Sequence, residues 1–181
     1  MGQDSVVQTA STAMGLARAE LESHWIPFTD NKSFKVDPRL LVKGEGVHLW
    51  NQHGDKLLDG VSGLFTTAAG HCRPEITEAV AAQLAQLDYI PSFYRSHPRS
   101  FELANKLVPL FPADMNHVFF CNSGSEAVDS AMKIALQYHA SRGEGGRNVF
   151  VSRDRAYHGV NIGGTSLSGL MKNREGFNAM V

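Results

Sequence analysis

The stretch "FFCNSGSEAVDSAMKIALQY", residues 119–138, decides the fold class of this chain. Its apolar start is typical of the end of a buried strand. From Ala127 onward, small and apolar residues recur at helical spacing, which predicts a helix. Between the two lie three small residues, Ser123, Gly124 and Ser125. The pattern therefore predicts a tight strand-to-helix turn that lets a ligand approach the backbone closely.

A second strand is predicted further along the chain, by "NVFVS" at residues 148–152. It follows the glycine-rich end of the helix, "RGEGGR". With "HVFFC" (117–121) as the first strand, residues 117–152 read as strand, helix, strand, which predicts one βαβ unit with a parallel pair of strands. Ligands of such sheets bind beyond the carboxyl ends of the strands. Those ends are the Ser123–Ser125 turn and "RDRAYHG", residues 153–159.

The Ser123–Ser125 turn has the features of an anion site. A helix N-terminus carries unpaired N–H groups and a partial positive charge, which suits a phosphate. Gly124 has no side chain to block the approach, and the two serines add hydroxyl groups. The turn matches neither the Walker A loop nor the G-x-G-x-x-G fingerprint. An alternative stays open, in which Asn122 or Ser123 only caps the helix and Glu126 completes a capping box.

An aromatic residue lies at the second strand end. The ring face of Tyr157 can stack on a flat heteroaromatic ligand, and His158 lies beside it. A phosphate site at one strand end and an aromatic plate at the next together indicate a phosphorylated aromatic cofactor. Taken singly, Tyr157 is also compatible with ordinary packing and His158 with a hydrogen-bonded loop histidine.

The composition excludes several classes of partner. Lys and Arg number 17 and Asp and Glu 18, and this balance indicates neither nucleic acid nor an anionic membrane as a partner. Apolar residues make up 43%, enough for a packed core. Cys72 and Cys121 form neither a metal-binding spacing nor a disulfide framework. No apolar run of about 18 residues is present, and residues 1–15 lack a secretory signal. We therefore expect a cytoplasmic protein that binds no metal.

The first part of the chain predicts smaller elements. Residues 1–23 are polar and alanine-rich and predict an arm or a loose helix. The segment "LLVKGEGVHLWNQHGDKLLDGV", residues 40–61, predicts a β-hairpin that turns at "NQHGDK". Pro74 and Pro98 each precede an apolar pattern of helical period and predict the start of a helix.

Taken together and in order, five segments resemble the N-terminal part of the class III pyridoxal-phosphate-dependent aminotransferases, and most closely the β-alanine (ω-amino acid):pyruvate branch. The segments are "HWIPF", "DPRLLVKGEG", "DGVSGLFTTAAGHCRPEI", "NHVFFCNSGSEAVDSAMKIA" and "RAYHGVNIGGTSLSG". The resemblance covers nearly the whole chain from His24 onward. It implies a homodimer and the α/β fold of the fold-type I PLP-dependent transferases, in which the large domain has a mostly parallel sheet. In that fold, residues 1–74 would be an N-terminal arm and small-domain segment, and residues 75–181 the incomplete start of the large domain.

The resemblance also implies roles for particular residues. The cofactor would be pyridoxal 5′-phosphate, with Ser123, Gly124 and Ser125 at its phosphate, Tyr157 stacked on its ring and His158 beside it. The substrate pocket would be lined by two pairs of neighbouring residues: Leu64 with Phe65, and Phe93 with Tyr94. Relatives often have tryptophan where this chain has Phe65, so the size of the pocket is left open.

The residues that carry out the chemistry are expected elsewhere. In the family, a lysine bonds covalently to the cofactor and moves the proton, and an aspartate keeps the pyridine nitrogen protonated. Both follow the Tyr-His-Gly motif at a distance, so we expect the lysine, the aspartate and the arginine for the substrate carboxylate beyond Val181. Neither Lys133 nor Lys172 has a catalytic context. We therefore expect no catalytic residue in this chain, which looks like a fragment and would be inactive alone.

The predicted reaction is the transfer of an amino group from an ω-amino acid or amine to a keto acid such as pyruvate.

Three alternatives stay open at the level of the sequence. Aminomutases and decarboxylating aminotransferases share the cofactor loops, so those loops do not discriminate between them. The strand–helix–strand unit could also bind a nucleotide or pyridoxal phosphate without catalysis. A purely structural protein is disfavoured by the clustering of the motifs.

Overall fold

The computed structural model describes Leu16 and residues 18–177, and the chain divides into two compact units, Met1–Pro91 and Ser92–Val181. Most of the predicted arm, residues 1–23, lies outside the described residues. Within its described part, Arg18–Leu21 forms a short helix, α1. The predicted boundary at residue 74 refers to the domains of a larger protein and stays a prediction.

The first unit is built around a three-stranded antiparallel sheet. The strands β1 (Leu41–Glu45), β2 (His48–Asn51) and β3 (Lys56–Leu58) pair in chain order. A short helix, α2 (Asn31–Phe34), precedes the sheet, and α3 (Pro74–Gln86) follows it. The predicted hairpin is therefore confirmed as β2–β3, and β1 adds a third strand that the sequence did not predict.

The side chain of Asn51 holds the turn of this hairpin. Its Oδ1 accepts hydrogen bonds from the backbone N–H groups of His53 and Asp55, each at 2.9 Å. Across the strands, the ammonium groups of Lys43 and Lys56 lie 4.4 and 5.4 Å from the ring centroid of Trp50. Cross-strand contacts of this kind stabilise a sheet that is too small to rely on a core.

The second unit is mainly helical. Its helices are α4 (Pro98–Leu107), α5 (Gly124–Ser141), α6 (Ile162–Ser166) and α7 (Met171–Arg174). Short 3₁₀ turns follow α4 at Val108–Leu110 and α7 at Glu175–Phe177. The predicted helix starts at Pro74 and Pro98 and the predicted helix after Ser123 are all confirmed. Each proline occupies the first turn of its helix, and Ser123 is an N-cap residue.

The prediction of two buried strands, at residues 117–121 and 148–152, is wrong for this structure. Neither segment forms a strand or a helix. Several of their apolar side chains are exposed as well, to 73% for Phe119 and 92% for Val151. The reason is physical: a strand exists through hydrogen bonds to a neighbouring strand, and among the described residues neither segment has such a partner. The apolar pattern was that of a buried strand, and burial requires covering elements.

Few side chains are buried in either unit. Of the residues that the structure describes, Leu21, Gly159, Gly164 and Ser168 are buried, and many large apolar side chains are exposed. Monomeric soluble proteins seldom leave so much apolar surface uncovered. Among the described helices, none combines the length and the apolar character needed to cross a membrane.

The C-terminal end of α5 carries a cluster of charged side chains around Glu144. Its carboxylate accepts a hydrogen bond from Nδ1 of His139 at 2.8 Å and another from the Arg147 guanidinium at 3.3 Å. These two contacts, His139 first, hold the pKa of Glu144 below its usual value of about 4.5. A depressed pKa in the folded state means that the ionised carboxylate stabilises this helix end above the ordinary pKa, and that the effect is lost as the pH falls through the folded pKa.

We therefore predict that Glu144→Gln loosens the end of α5 at neutral pH and not in acid. Hydrogen exchange of a peptide covering residues 138–147 should be faster in the variant at pH 7. Exchange is expressed as protection factors, so that the intrinsic rates, which the substitution changes next to residue 144, do not enter the comparison. The difference should shrink as the pH falls through the lowered pKa of Glu144, because the wild-type carboxylate then becomes protonated as well. An equal difference at neutral pH and in acid would mean that the charge of Glu144 plays no part.

Candidate cofactor-binding site

The turn before α5 has the structure of a capped helix start. Ser123 is the N-cap residue, and its Oγ accepts a hydrogen bond from the backbone N–H of Glu126 at 3.1 Å. The Glu126 carboxylate accepts hydrogen bonds from the backbone and side-chain N–H groups of Asn122, at 3.0 and 3.1 Å. The capping alternative therefore explains Ser123 and Glu126. Unlike a standard capping box, the glutamate reaches the residue before the cap.

The cap leaves two donors of the first turn unused. Within the described part of the chain, the N–H groups of Gly124 and Ser125 have no hydrogen-bond partner. A Cβ atom built on Gly124 would meet nothing within 4 Å, so no neighbouring group packs against this residue on that side. At the start of an 18-residue helix, such donors combine with the helix dipole to favour an anion. The turn therefore fits a phosphate group as well as a cap.

The segment after Tyr157 and His158 packs directly on this turn. Oγ of Ser125 accepts a hydrogen bond from the backbone N–H of Val160 at 3.0 Å. Gly159 has a φ of 118°, and a Cβ on it would lie 2.9 Å from both Cα and Oγ of Ser125. This position requires glycine for its backbone angle and for its close contact. The two regions that the sequence predicted to meet are therefore brought together.

A second contact holds the same two segments together. Oδ1 of Asp129, one turn further along α5, accepts a hydrogen bond from the backbone N–H of Gly164 at 3.1 Å. A Cβ on Gly163 would lie 2.6 Å from that same oxygen, and one on Gly164 would lie 2.5 Å from the backbone oxygen of His158. The paired glycines allow α6 to approach α5 closely. The sequence reasoning missed Asp129, which is one of several polar residues in α5 and is not distinguished by the sequence pattern.

The predicted aromatic plate and its neighbour have properties that suit a ligand. Tyr157 is 56% exposed, so its ring has open surface. Nε2 of His158 is buried and has no hydrogen-bond partner among the described residues. A buried nitrogen without a partner carries an energetic cost that a ligand can remove. The residues present therefore fit a phosphorylated aromatic cofactor.

The predicted pocket residues fall in different parts of the chain. Leu64 and Phe65 belong to the first unit, and Phe93 and Tyr94 to the second. All four are strongly exposed. Leu64 and Phe65 lie in a left-handed turn, Ser62–Phe65, whose φ angles are 52°, 57°, 55° and 71°. For residues other than glycine this conformation costs about 1–2 kcal/mol each.

The first unit contains a polar pair that the sequence reasoning also missed. Nε2 of His71 and Oδ2 of Asp59 lie 2.7 Å apart, beside the strained turn. The signal available in the sequence was one aspartate and one histidine at the two ends of a glycine-rich segment. Sequence spacing alone does not show that they meet.

Comparison with known proteins identifies the class. Residues 30–181 match the family "Aminotransferase class-III", and the chain belongs to this family. Membership confirms the predicted resemblance. Together with the similarity to solved ω-transaminase structures, family membership also supports the fold-type I class and pyridoxal phosphate as the cofactor.

Particular relatives narrow the class further. The chain is 47% identical over 161 residues to the β-alanine–pyruvate aminotransferase of Pseudomonas aeruginosa, covering 89% of this chain and 36% of the relative. It is 48% identical over 161 residues to the ω-amino acid–pyruvate aminotransferase of Pseudomonas putida, with the same coverage. Among solved structures, an ω-transaminase of Pseudomonas jessenii in complex with PMP matches with a TM-score of 0.85 and 31% identity, covering 90% of this chain and 36% of that one. The chain thus spans about a third of the length of the relatives it matches.

Proposed function

We propose that this chain is the cofactor-binding part of a PLP-dependent aminotransferase, which moves an amino group from an ω-amino acid or amine such as β-alanine to a keto acid such as pyruvate. By the parent protein we mean a protein of the relatives' full length that contains this chain. The chain alone supplies binding groups, and the catalytic lysine is expected in the remainder of the parent.

The observation that carries this proposal is the contact between Ser125 and Val160. It joins an open helix N-terminus to the segment that bears Tyr157 and His158. A site that offers hydrogen-bond donors for a phosphate together with an aromatic ring suits pyridoxal phosphate better than an inorganic anion, which has no ring to stack.

Each residue then has a definite task. The N–H groups of Gly124 and Ser125, with the hydroxyl groups of Ser123 and Ser125, bind the phosphate. The Tyr157 ring covers one face of the pyridine, and His158 supplies the buried nitrogen that lacks a partner. When bound, the cofactor withdraws electrons from the carbon that carries the substrate amine, and the residues of this chain orient it for that role.

The exposed apolar side chains support the substrate pocket and the homodimer. We propose that Leu64, Phe65, Phe93 and Tyr94 line the pocket, since apolar walls suit a substrate whose amine is remote from its carboxylate. In the parent, the rest of the large domain and a second subunit would cover much of the remaining apolar surface. Cys72 and Cys121 are both free thiols, which is in keeping with a cytoplasmic location.

We predict that the purified parent, loaded with pyridoxal phosphate, converts β-alanine and pyruvate to 3-oxopropanoate and alanine, and that the 181-residue chain does not. Lys133→Ala and Lys172→Ala in the parent should keep the wild-type rate, because neither lysine is assigned to the chemistry. Alanine formation is measured by chromatography.

Other outcomes of the same assay point elsewhere. Consumption of the amino acid without pyruvate, or release of carbon dioxide, would favour an aminomutase or a decarboxylating enzyme. Failure to bind pyridoxal phosphate would remove the proposal. Turnover by the 181-residue chain itself would contradict the assignment of the catalytic lysine to the remainder of the parent.

A further inference from the structure

Asp59 and His71 form a protected pair in a unit that is otherwise open. Oδ2 of Asp59 and Nε2 of His71 lie 2.7 Å apart, and the two side chains are only 10% and 18% exposed. The neighbouring Phe65 is 86% exposed. Charged side chains are seldom this well covered without a structural or functional reason.

The second carboxylate oxygen of Asp59 binds the start of the left-handed turn. Oδ1 accepts hydrogen bonds from the backbone N–H groups of Val61 and Ser62, at 3.0 and 2.9 Å. The hydrogen bond to His71 is the main cause, and that to Val61 the next, of a pKa of Asp59 below its ordinary value. One carboxylate thus connects the histidine to the turn.

His71 is in turn fixed to the small sheet. Its backbone exchanges two hydrogen bonds with Gly46, at 3.0 and 2.8 Å. Its side chain lies against β1, where a Cβ on Gly44 would be 2.9 Å from the Cβ of His71. The pair therefore links the turn to the end of a paired strand.

The turn needs such an anchor. Three of its four residues, Ser62, Leu64 and Phe65, are not glycine, yet all have positive φ angles near 60°. Internal hydrogen bonds join the N–H of Phe65 to the oxygen of Val61 at 3.2 Å, and the N–H of Thr67 to that of Ser62 at 2.9 Å. Backbone strain of this kind persists where surrounding contacts enforce it, and it is often found where a side chain has to be presented in one direction.

We propose that Asp59 and His71 are positioning residues, which hold the Ser62–Phe65 turn in its left-handed conformation and thereby set the substrate selectivity of the pocket through the direction of Leu64 and Phe65. The inference rests on the proposed function for the pocket role of these two side chains. The anchoring of the turn rests on the contacts given above.

The test compares three variants of the parent protein. Asp59→Ala removes the carboxylate. His71→Phe removes the histidine nitrogen and keeps the two hydrogen bonds that Asp59 accepts from backbone N–H groups. His53→Ala is the matched control, because His53 lies in the hairpin turn of the same unit and does not contact Ser62–Phe65. Hydrogen exchange of a peptide covering residues 60–67 reports on the turn. The ratio of kcat/KM for β-alanine to that for a bulky arylalkylamine reports on selectivity.

We expect Asp59→Ala to speed exchange in this peptide about tenfold or more, which is the factor expected on losing hydrogen bonds to a charged group. The selectivity ratio should change at least about fivefold, mainly through KM, while the content of bound pyridoxal phosphate stays at the wild-type level. His71→Phe should change both quantities in the same direction and by less, and His53→Ala should change neither. If Asp59→Ala does not accumulate as folded protein, His71→Phe carries the test.

An unchanged selectivity ratio in folded Asp59→Ala, or in His71→Phe where that variant carries the test, overturns the proposal, and so does unchanged exchange. A loss of pyridoxal phosphate in step with any change in selectivity also overturns it, because the pair would then act on the cofactor. If wild-type parent shows no transamination at all, the proposed function fails, and the exchange measurement still decides whether the pair holds the turn.

Discussion

Replacement of Gly159 by alanine is expected to weaken the binding of pyridoxal phosphate to the parent protein by about 100-fold. The new Cβ would lie 2.9 Å from both Cα and Oγ of Ser125, and the backbone would keep a φ of 118° that only glycine adopts readily. Overpacking and backbone strain each cost about 1–3 kcal/mol. A total of about 3 kcal/mol corresponds to the expected factor. The strain is relieved by moving the Tyr157–Val160 segment away from Ser125, which opens the site.

The matched control is Gly145→Ala. A Cβ on Gly145 meets nothing within 4 Å, and this glycine lies in the loop after α5, away from the contact with Val160. It should bind the cofactor as wild type does. Titration followed by the absorbance of the bound cofactor measures both variants, and thermal unfolding shows whether the fold survives. Wild-type affinity in folded Gly159→Ala would show that the contact with Ser125 does not shape the cofactor site.

Local chemistry was sufficient to predict the three longest described helices, α3, α4 and α5. Pro74 and Pro98 each occupy the first helical position, and Ser123 caps α5, so the start of each helix depends on residues that are neighbours in sequence. The turn between β2 and β3 is likewise held by one side chain, that of Asn51. Such features can be predicted because the atoms that satisfy the backbone are supplied within a few residues.

The features that were not predicted depend on distant partners. The segments 117–121 and 148–152 have the composition of strands, but pairing depends on neighbours that the sequence pattern does not specify. The pairing of Asp59 with His71 spans twelve residues and depends on the bridge between His71 and Gly46. The left-handed turn was not predictable either, because Ser62, Leu64 and Phe65 have no intrinsic preference for it.

The candidate cofactor site lies between these cases. Ser123, Gly124 and Ser125 could be named from the strand-to-helix pattern, and Tyr157 and His158 from their position after the next apolar segment. That the two regions meet was an inference from the parallel sheet. The contact between Ser125 and Val160 forms even though the two apolar segments are unpaired, because glycines at 159, 163 and 164 allow close approach to α5. The contact between the two regions was therefore predicted correctly, for a reason that was only partly right, and their role in binding a cofactor stays a prediction.

Gly124→Glu is expected to separate helix capping from cofactor binding. A carboxylate in the first turn of α5 interacts favourably with the helix dipole and stabilises the fold by about 0.3–1 kcal/mol. Replacing a helical glycine adds up to about 1 kcal/mol of stability. The fold should therefore be at least as stable as wild type. The same carboxylate would lie beside a bound phosphate, where two like charges about 4 Å apart repel by several kcal/mol near a protein surface. We expect the affinity for pyridoxal phosphate to fall by more than about 100-fold.

Gly124→Ala is the control, because it adds helix propensity without charge. The space before Gly124 is open, so the methyl group meets no protein atom within 4 Å, and cofactor binding should weaken by no more than about tenfold. Thermal unfolding of the cofactor-free proteins and spectroscopic titration with pyridoxal phosphate give the two quantities. Wild-type affinity in Gly124→Glu would mean that the phosphate binds elsewhere and that the Ser123–Ser125 turn serves only to start α5. Equal losses of stability and affinity would mean that the glycine is needed for the fold, and that the open N–H groups before α5 have no separate role.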